Sequence, residues 1–301
     1  MTASLSRDTG ALPFVSPQLG QALALASLRR LWRLHVRDFA FENAGLEHNP
    51  GLDADELVRS WYAAERRDFL SWIVRRASPA LAAAARMALA AKNSTESFSS
   101  AFAPADVALD RLDALLPSDD PVATLLDLIA VLRTKEIDFL EGGSEIVEFE
   151  GIAITRPAPR GAAWAASLAV AMRPHLFGLG SPPIALAGVL PCALFREIQE
   201  DPLPALLQSA LGTACDHAAD DLYTLHGALA RGDAVLADRN ASSTAPQAWL
   251  VIRGLGPLTR AELARALGVT KRTASLAVST LEQLDLVRLR PADNSIFPVR
   301  H

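Results

Sequence analysis

The chain has 301 residues, 50% hydrophobic and only 6% aromatic, with 29 Lys and Arg against 34 Asp and Glu for a net charge of −5. That length predicts two or three domains. The Ala- and Leu-dominated composition excludes a sheet protein rich in Val, Ile and Tyr and points to packed helices.

Residues 1–16 read as a flexible arm; Arg7, Asp8 and Gly10 stand where a secretory signal would need an apolar run. A helix is expected over 17–41, because Leu25, Leu28, Trp32, Val36 and Phe39 recur on one face. Gly45, Pro50 and Gly51 interrupt it, and a second helix over 53–76 carries Leu57, Trp61, Phe69, Trp72 and Ile73 inward. Ser78 and Pro79 open an Ala-rich helix ending near 91, followed by a polar, Ser-rich loop over 93–103. Helices over 104–116 and 121–140 complete a helical domain spanning 17–141. After Gly142 and Gly143 the stretch from Glu145 to Thr155 partly alternates and is locally β-branched, which predicts a small β-ribbon near 145–155. Helices over 162–173, 184–199 and 203–231 join it in a second segment, 142–231. Residues 232–245, with Gly232, Ser242, Ser243 and Thr244, read as a linker.

The remaining residues, 246–301, follow a tighter grammar. A lead helix over 248–253 is anchored by Trp249. Thr259 caps a next helix, with Glu262 at capping-box spacing and Leu263, Ala264 and Leu267 forming its apolar stripe. Gly268 suits the helix end, and Thr270 caps a further helix whose Ala274, Ala277, Val278, Leu281 and Leu284 face inward. Away from that stripe stand Lys271, Arg272, Thr273, Ser275 and Ser279. Residues 286–290 and 295–299 read as two short strands around a turn at 291–294, with Arg288 and Arg290 along the ribbon. Arg253, Arg260, Arg265, Lys271, Arg272, Arg288, Arg290 and Arg300 against Glu262, Glu282, Asp285 and Asp293 make this end locally basic within an acidic chain. Such a partition fits a module that meets a polyanion.

In its helix lengths, its Gly268 turn, its Thr270 start and its Leu286-Val287 exit into a ribbon, this end resembles the winged helix–turn–helix of MarR-type transcriptional regulators. The resemblance runs from residue 256 onward and covers none of the remainder. Joined to the helices and ribbon expected above, it gives a mainly α protein: a multi-helix N-terminal body with the ribbon near 145–155, plus a C-terminal winged helix–turn–helix. It further implies that Thr270, Lys271, Arg272, Thr273, Ser275 and Ser279 meet base edges in the major groove, with Arg288 and Arg290 on backbone phosphates. The ribbon is short and carries Asp293 at its tip, a departure from strongly basic members of the family. Double-stranded DNA is the expected partner, read by a homodimer, since operators mirror two-fold symmetry. The body would set oligomeric state or sense a signal, with a small-molecule effector possible in kind but unspecified. The competing expectation is an interaction protein of a chromosome- or plasmid-maintenance complex, using the winged helix to dock onto protein.

Other polar groups read as ordinary surface. His217 and Asp221 share a helix face, but His226 does not converge on them, so a solvated acidic face is expected in place of a metal site. His35, Asp38 and Glu42 show the charge spacing of an exposed helix side. Glu148 and Glu150 would line the solvated side of the ribbon. Arg156, Arg160, Arg173 and His175 could cradle an anion but are expected to pair with acids. Cys192 and Cys215 lack any CxxC spacing and read as buried thiols of a reducing compartment. The tryptophans at 32, 61, 72, 164 and 249 read as core anchors. No P-loop, nucleophile elbow, HExxH or dinucleotide fingerprint is present, and no run of eighteen residues lacks a charge or breaker. The expectation is a cytoplasmic, nucleoid-associated bacterial protein, not an enzyme, with no catalytic residue, metal or cofactor and no membrane span.

Overall fold

The Ser16 hydroxyl accepts a hydrogen bond from the Leu19 amide at 3.2 Å, and Pro17 pre-sets the first turn. Together they start α1 (Pro17–Leu34), which buries Leu23, Leu25, Leu28, Leu31 and Trp32. The computed structural model describes residues 16–35, 63–135, 144–149, 152–157, 161–179, 184–196, 201–237 and 243–299. The expected arm up to residue 15, the continuation of the first helix beyond 35, and Trp61 lie outside the described residues, as do Asp38, Glu42, Glu150 and Arg160.

Next come α2 (Ala63–Arg76) and α3 (Pro79–Ala91), then a 3-10 turn at Ser100–Phe102 that feeds α4 (Ala103–Ala114), and α5 (Pro121–Lys135). The ribbon forms as expected: β1 (Ser144–Phe149) pairs antiparallel with β2 (Ile152–Pro157), with Phe149 opposite Ile152. The following helix, α6 (Ala162–Ala171), is buried on every side, which its continuous apolar sequence requires. It packs against α4. There follow α7 (Cys192–Arg196), α8 (Leu203–Leu236), α9 (Ala245–Leu255), β3 (Leu258–Thr259), α10 (Arg260–Leu267), α11 (Lys271–Gln283), β4 (Val287–Arg290) and β5 (Ser295–Pro298). The last three strands form an antiparallel sheet in the order β3-β5-β4. The fold is mainly α with two small sheets.

Two expectations about backbone structure need correcting. The helix over 184–199 is confined, among the described residues, to 192–196, because the preceding stretch is buried in non-helical form. Gly188 turns with φ +85°, Pro191 cannot donate to a helical ladder, and α1 and α6 supply the missing bonds. The Ser27 hydroxyl accepts from the Ala185 amide at 3.2 Å, and the Ser167 hydroxyl donates to the Leu190 carbonyl at 2.7 Å. The second correction concerns the linker. Its first residues, 232–236, continue α8, and Gly232 is there for contact, not for flexibility. A Cβ at Gly232 would lie 2.4 Å from the Trp249 ring, whose Nε1 donates to the Ala228 carbonyl at 3.0 Å. Residues 238–242 lie outside the described residues.

At the centre of the body an aromatic group of Trp32, Phe69, Phe102 and Trp164 surrounds His35. The surface reading of His35 fails: its side chain is buried. Trp164 Nε1 can only donate, and it donates to His35 Nδ1 at 2.8 Å, which leaves the ring proton on Nε2 to donate to Glu65 at 2.8 Å. Helical charge spacing is the same whether a face meets water or a partner at position 164, so the pattern alone could not separate the two. Elsewhere Arg173 pairs with an acid as expected, holding Asp113 at 2.6 Å, whereas Asp221, expected on a solvated acidic face, is half-buried and held by Arg30 at 2.7 Å, with a second bond from Arg30 to the His217 carbonyl. Trp32, Trp72, Trp164 and Trp249 are buried. Burial pushes the half-buried Cys215 thiol up, and neighbouring Asp216 adds to the shift. Among the described residues, no helix is long and apolar enough to cross a membrane.

Gly232→Ala forces a Cβ into the Trp249 ring and is expected to cost about 1–3 kcal/mol. Gly227→Ala, in the same helix with nothing within 4 Å of the added atom, is expected to gain up to about 1 kcal/mol. Urea denaturation of both variants checks the opposite signs.

Candidate nucleic-acid interface

The C-terminal end is assembled from reciprocal caps. Thr259 Oγ1 accepts from the Glu262 amide at 3.3 Å while Glu262 Oε2 accepts from the Thr259 amide at 2.8 Å, which completes the capping box of α10. Gly268, at φ +64°, ends that helix and lets the Val269 amide reach back to the Ala264 carbonyl at 2.9 Å. Thr270 then caps α11, its hydroxyl accepting from the Thr273 amide at 3.1 Å. Ala274, Ala277, Val278 and Leu281 bury one side of α11 against α9 and α10. The opposite side faces solvent.

The predicted contact residues separate into three groups. Lys271 and Arg272 are exposed in the first turn of α11 and have no hydrogen-bond or ion-pair partner among the described residues. Ser279 is exposed further along the helix and Ser275 half-buried beside it. Thr270 and Thr273 are drawn into the cap, their hydroxyls 2.9 Å apart. On the ribbon, exposed Arg288 lies 3.5 Å from Asp285, a loose surface pair worth at most about 1 kcal/mol. Arg290 is held differently. It grips Asp293 at 2.5 Å and lies over the Phe297 ring at 4.5 Å, and Asp293 also accepts from the Ser295 amide and hydroxyl. That guanidinium fastens the ribbon's own turn, which explains the acid at the tip.

Among the described residues, the other cations of this end are engaged as well. Arg260 lies 3.5 Å from Glu282, Arg253 sits over the Trp249 ring, and Arg265 Nε donates to the Ala91 carbonyl at the end of α3 at 2.7 Å. This last contact belongs to a joint that sequence reasoning missed. Lys92, just past α3, meets Glu262 at 2.5 Å, and the buried Arg66 of α2 acts on the same carboxylate. Burial pushes the Glu262 carboxyl up, but the bonds from Lys92 and from Thr259, with the charge of Lys92, together hold it below the usual carboxylate range. Burial likewise lowers Arg66, partly offset by Glu262. The capping-box spacing made one role of Glu262 legible; no local pattern announces a second partner far away at position 92. The C-terminal end therefore attaches to the body through α9 against α1 and α10 against α3, with Gly254 letting Leu25 approach closely. Those attachments leave the outer side of α11 and the exposed residues of the ribbon, Arg288 among them, uncovered by the described residues. Among those residues, no cluster of His, Cys, Asp and Glu is arranged to hold a metal ion.

Compared with models of known protein families, with curated proteins and with solved structures, the chain matches none.

The lowered Glu262 pKa sets a sign. Its contribution to stability is fully present above the ordinary carboxylate pKa and is lost as pH falls through the lowered folded value. Glu262→Gln keeps the cap geometry but not the charge, and is expected to be less stable at neutral pH by roughly 1–3 kcal/mol. The gap to wild type closes below about pH 4 in denaturant titrations; a gap that stays constant into acid contradicts the assignment.

Proposed function

We propose that the protein is a sequence-specific DNA-binding transcriptional regulator whose residues 246–301 form a MarR-like winged helix–turn–helix. One observation carries the reading: the solvent side of α11 presents Lys271 and Arg272 without partners among the described residues, at the N-terminal end that enters the major groove in such motifs. From 263 to 281 the sequence contains Arg265, Lys271 and Arg272 and no acid, although the chain as a whole is acidic. Lys271 and Arg272 are suited to guanine acceptors or phosphates, Ser275 and Ser279 to either. Thr270 and Thr273 set the start and direction of the helix. Arg288 exchanges its loose Asp285 pair for a phosphate, whereas Arg290 serves the ribbon.

A single module of this size binds weakly and with steep salt dependence, so the active species in this reading is a homodimer on double-stranded DNA. The helical body would provide oligomerisation or respond to an effector, and the protein would work in the cytoplasm, associated with the nucleoid. No catalytic role is assigned.

Binding of the full chain to genomic fragments is expected to select among them and to weaken steeply with salt. Lys271→Ala/Arg272→Ala is expected to abolish selection and to lower the slope of log affinity against log salt by about 2. Wild-type protein that ignores DNA even at low salt overturns the proposal in favour of a protein-docking winged helix.

A further inference from the structure

The outer face of α11 contains one large apolar side chain. Leu276 is 63% exposed, and no element of the described fold covers it. At about 100° per residue, Leu276 falls within about 40° of Arg272 and close to Ser279 and Gln283, opposite the buried stripe of Ala274, Ala277, Val278 and Leu281. It therefore shares the face of Arg272, one turn further along the helix, whereas Lys271 is about 140° round and is exposed as the first residue of α11. Arg272, Ser279 and Gln283 are all exposed around it. Helix propensity alone does not select leucine there, because Arg, Lys, Gln and Glu form helices about as well and suit water better.

Resting on the DNA-binding reading above, we infer that Leu276 reads a thymine 5-methyl group in the major groove and is a specificity-determining residue of the site. The occupant follows from charge: Arg272 on this face and Lys271 at the helix start have no partner among the described residues, no acid occurs from 263 to 281, and that end is complementary to a polyanion; the major groove is where a polyanion also displays an apolar group. That group is the thymine C5-methyl, which distinguishes T·A from the other pairs. The polar neighbours divide the work. Arg272 and Lys271 reach acceptors or phosphates near the helix start, and Leu276 desolvates a methyl one turn further along.

The test uses full-length protein and a duplex fragment that the wild type selects, prepared either with thymine or with deoxyuridine throughout, which removes only the methyl groups. Wild type is expected to bind the deoxyuridine duplex about fourfold more weakly, the worth of one buried methyl-sized group. Leu276→Ala is expected to bind the two duplexes alike, with an unchanged salt slope, and Leu276→Met to restore part of the discrimination. Because the side chain is exposed, the thermal transitions of both variants should match wild type. Salt-dependent, selective binding that ignores the methyl groups, or full discrimination in Leu276→Ala, overturns this inference and leaves the regulator reading standing. Absence of any DNA binding overturns both and assigns the Leu276 face to a protein partner.

Discussion

Glu262 is the residue on which the placement of the C-terminal end depends. Its carboxylate completes the cap of α10 with Thr259 and at the same time meets Lys92, beside Arg66 of the body. A buried carboxylate is tolerated only when its charge is compensated and its oxygens are bonded, and here the compensation comes from a separate part of the chain. The same contact region lets Arg265 satisfy the Ala91 carbonyl, one of the acceptors that the end of α3 leaves open. Local capping and long-range docking thus share one side chain.

This joint determines what remains exposed. With α9 packed on α1 and α10 on α3, the apolar stripe of α11 is satisfied within the C-terminal end, and its other side projects away from those attachments. Cations at the joint and in the ribbon turn are neutralised by neighbours, whereas Lys271 and Arg272 are not. The contrast gives the proposed interface its direction. It also means that the end does not swing on a loose tether at its attachment to the body: Gly232 admits Trp249 and Gly254 admits Leu25, two close approaches that a larger residue would block.

Much of this was legible locally. Thr259 with Glu262, Gly268 and Thr270 mark caps within a few residues, and local bonding decides them, so they appear where the sequence places them. The ribbon near 145–155 and the ribbon turn at 291–294 follow from equally short-range patterns. Errors arose where tertiary packing overrides a local rule. Residues 184–191 are apolar enough for a helix, but Gly188, Pro191 and two serine hydroxyls from other helices hold them in another form. Gly232 resembles a breaker until Trp249 is seen beside it. His35 resembles a surface residue until Trp164 and Glu65 supply its partners. At the candidate site, exposure of Arg272 and Ser279 could be read from helical periodicity and that of Lys271 from its place at the helix start, whereas the engagement of Arg290 by Asp293 and Phe297 required the fold of the ribbon.

The central claim is that α11 is the surface that meets DNA, and amide hydrogen exchange of the full chain with and without a selected duplex tests it most directly. The account predicts added protection concentrated in the Gly268 turn, α11 and the ribbon, with α1 and α3 unchanged. Protection elsewhere that spares α11, or none at a DNA concentration that saturates binding, would contradict it.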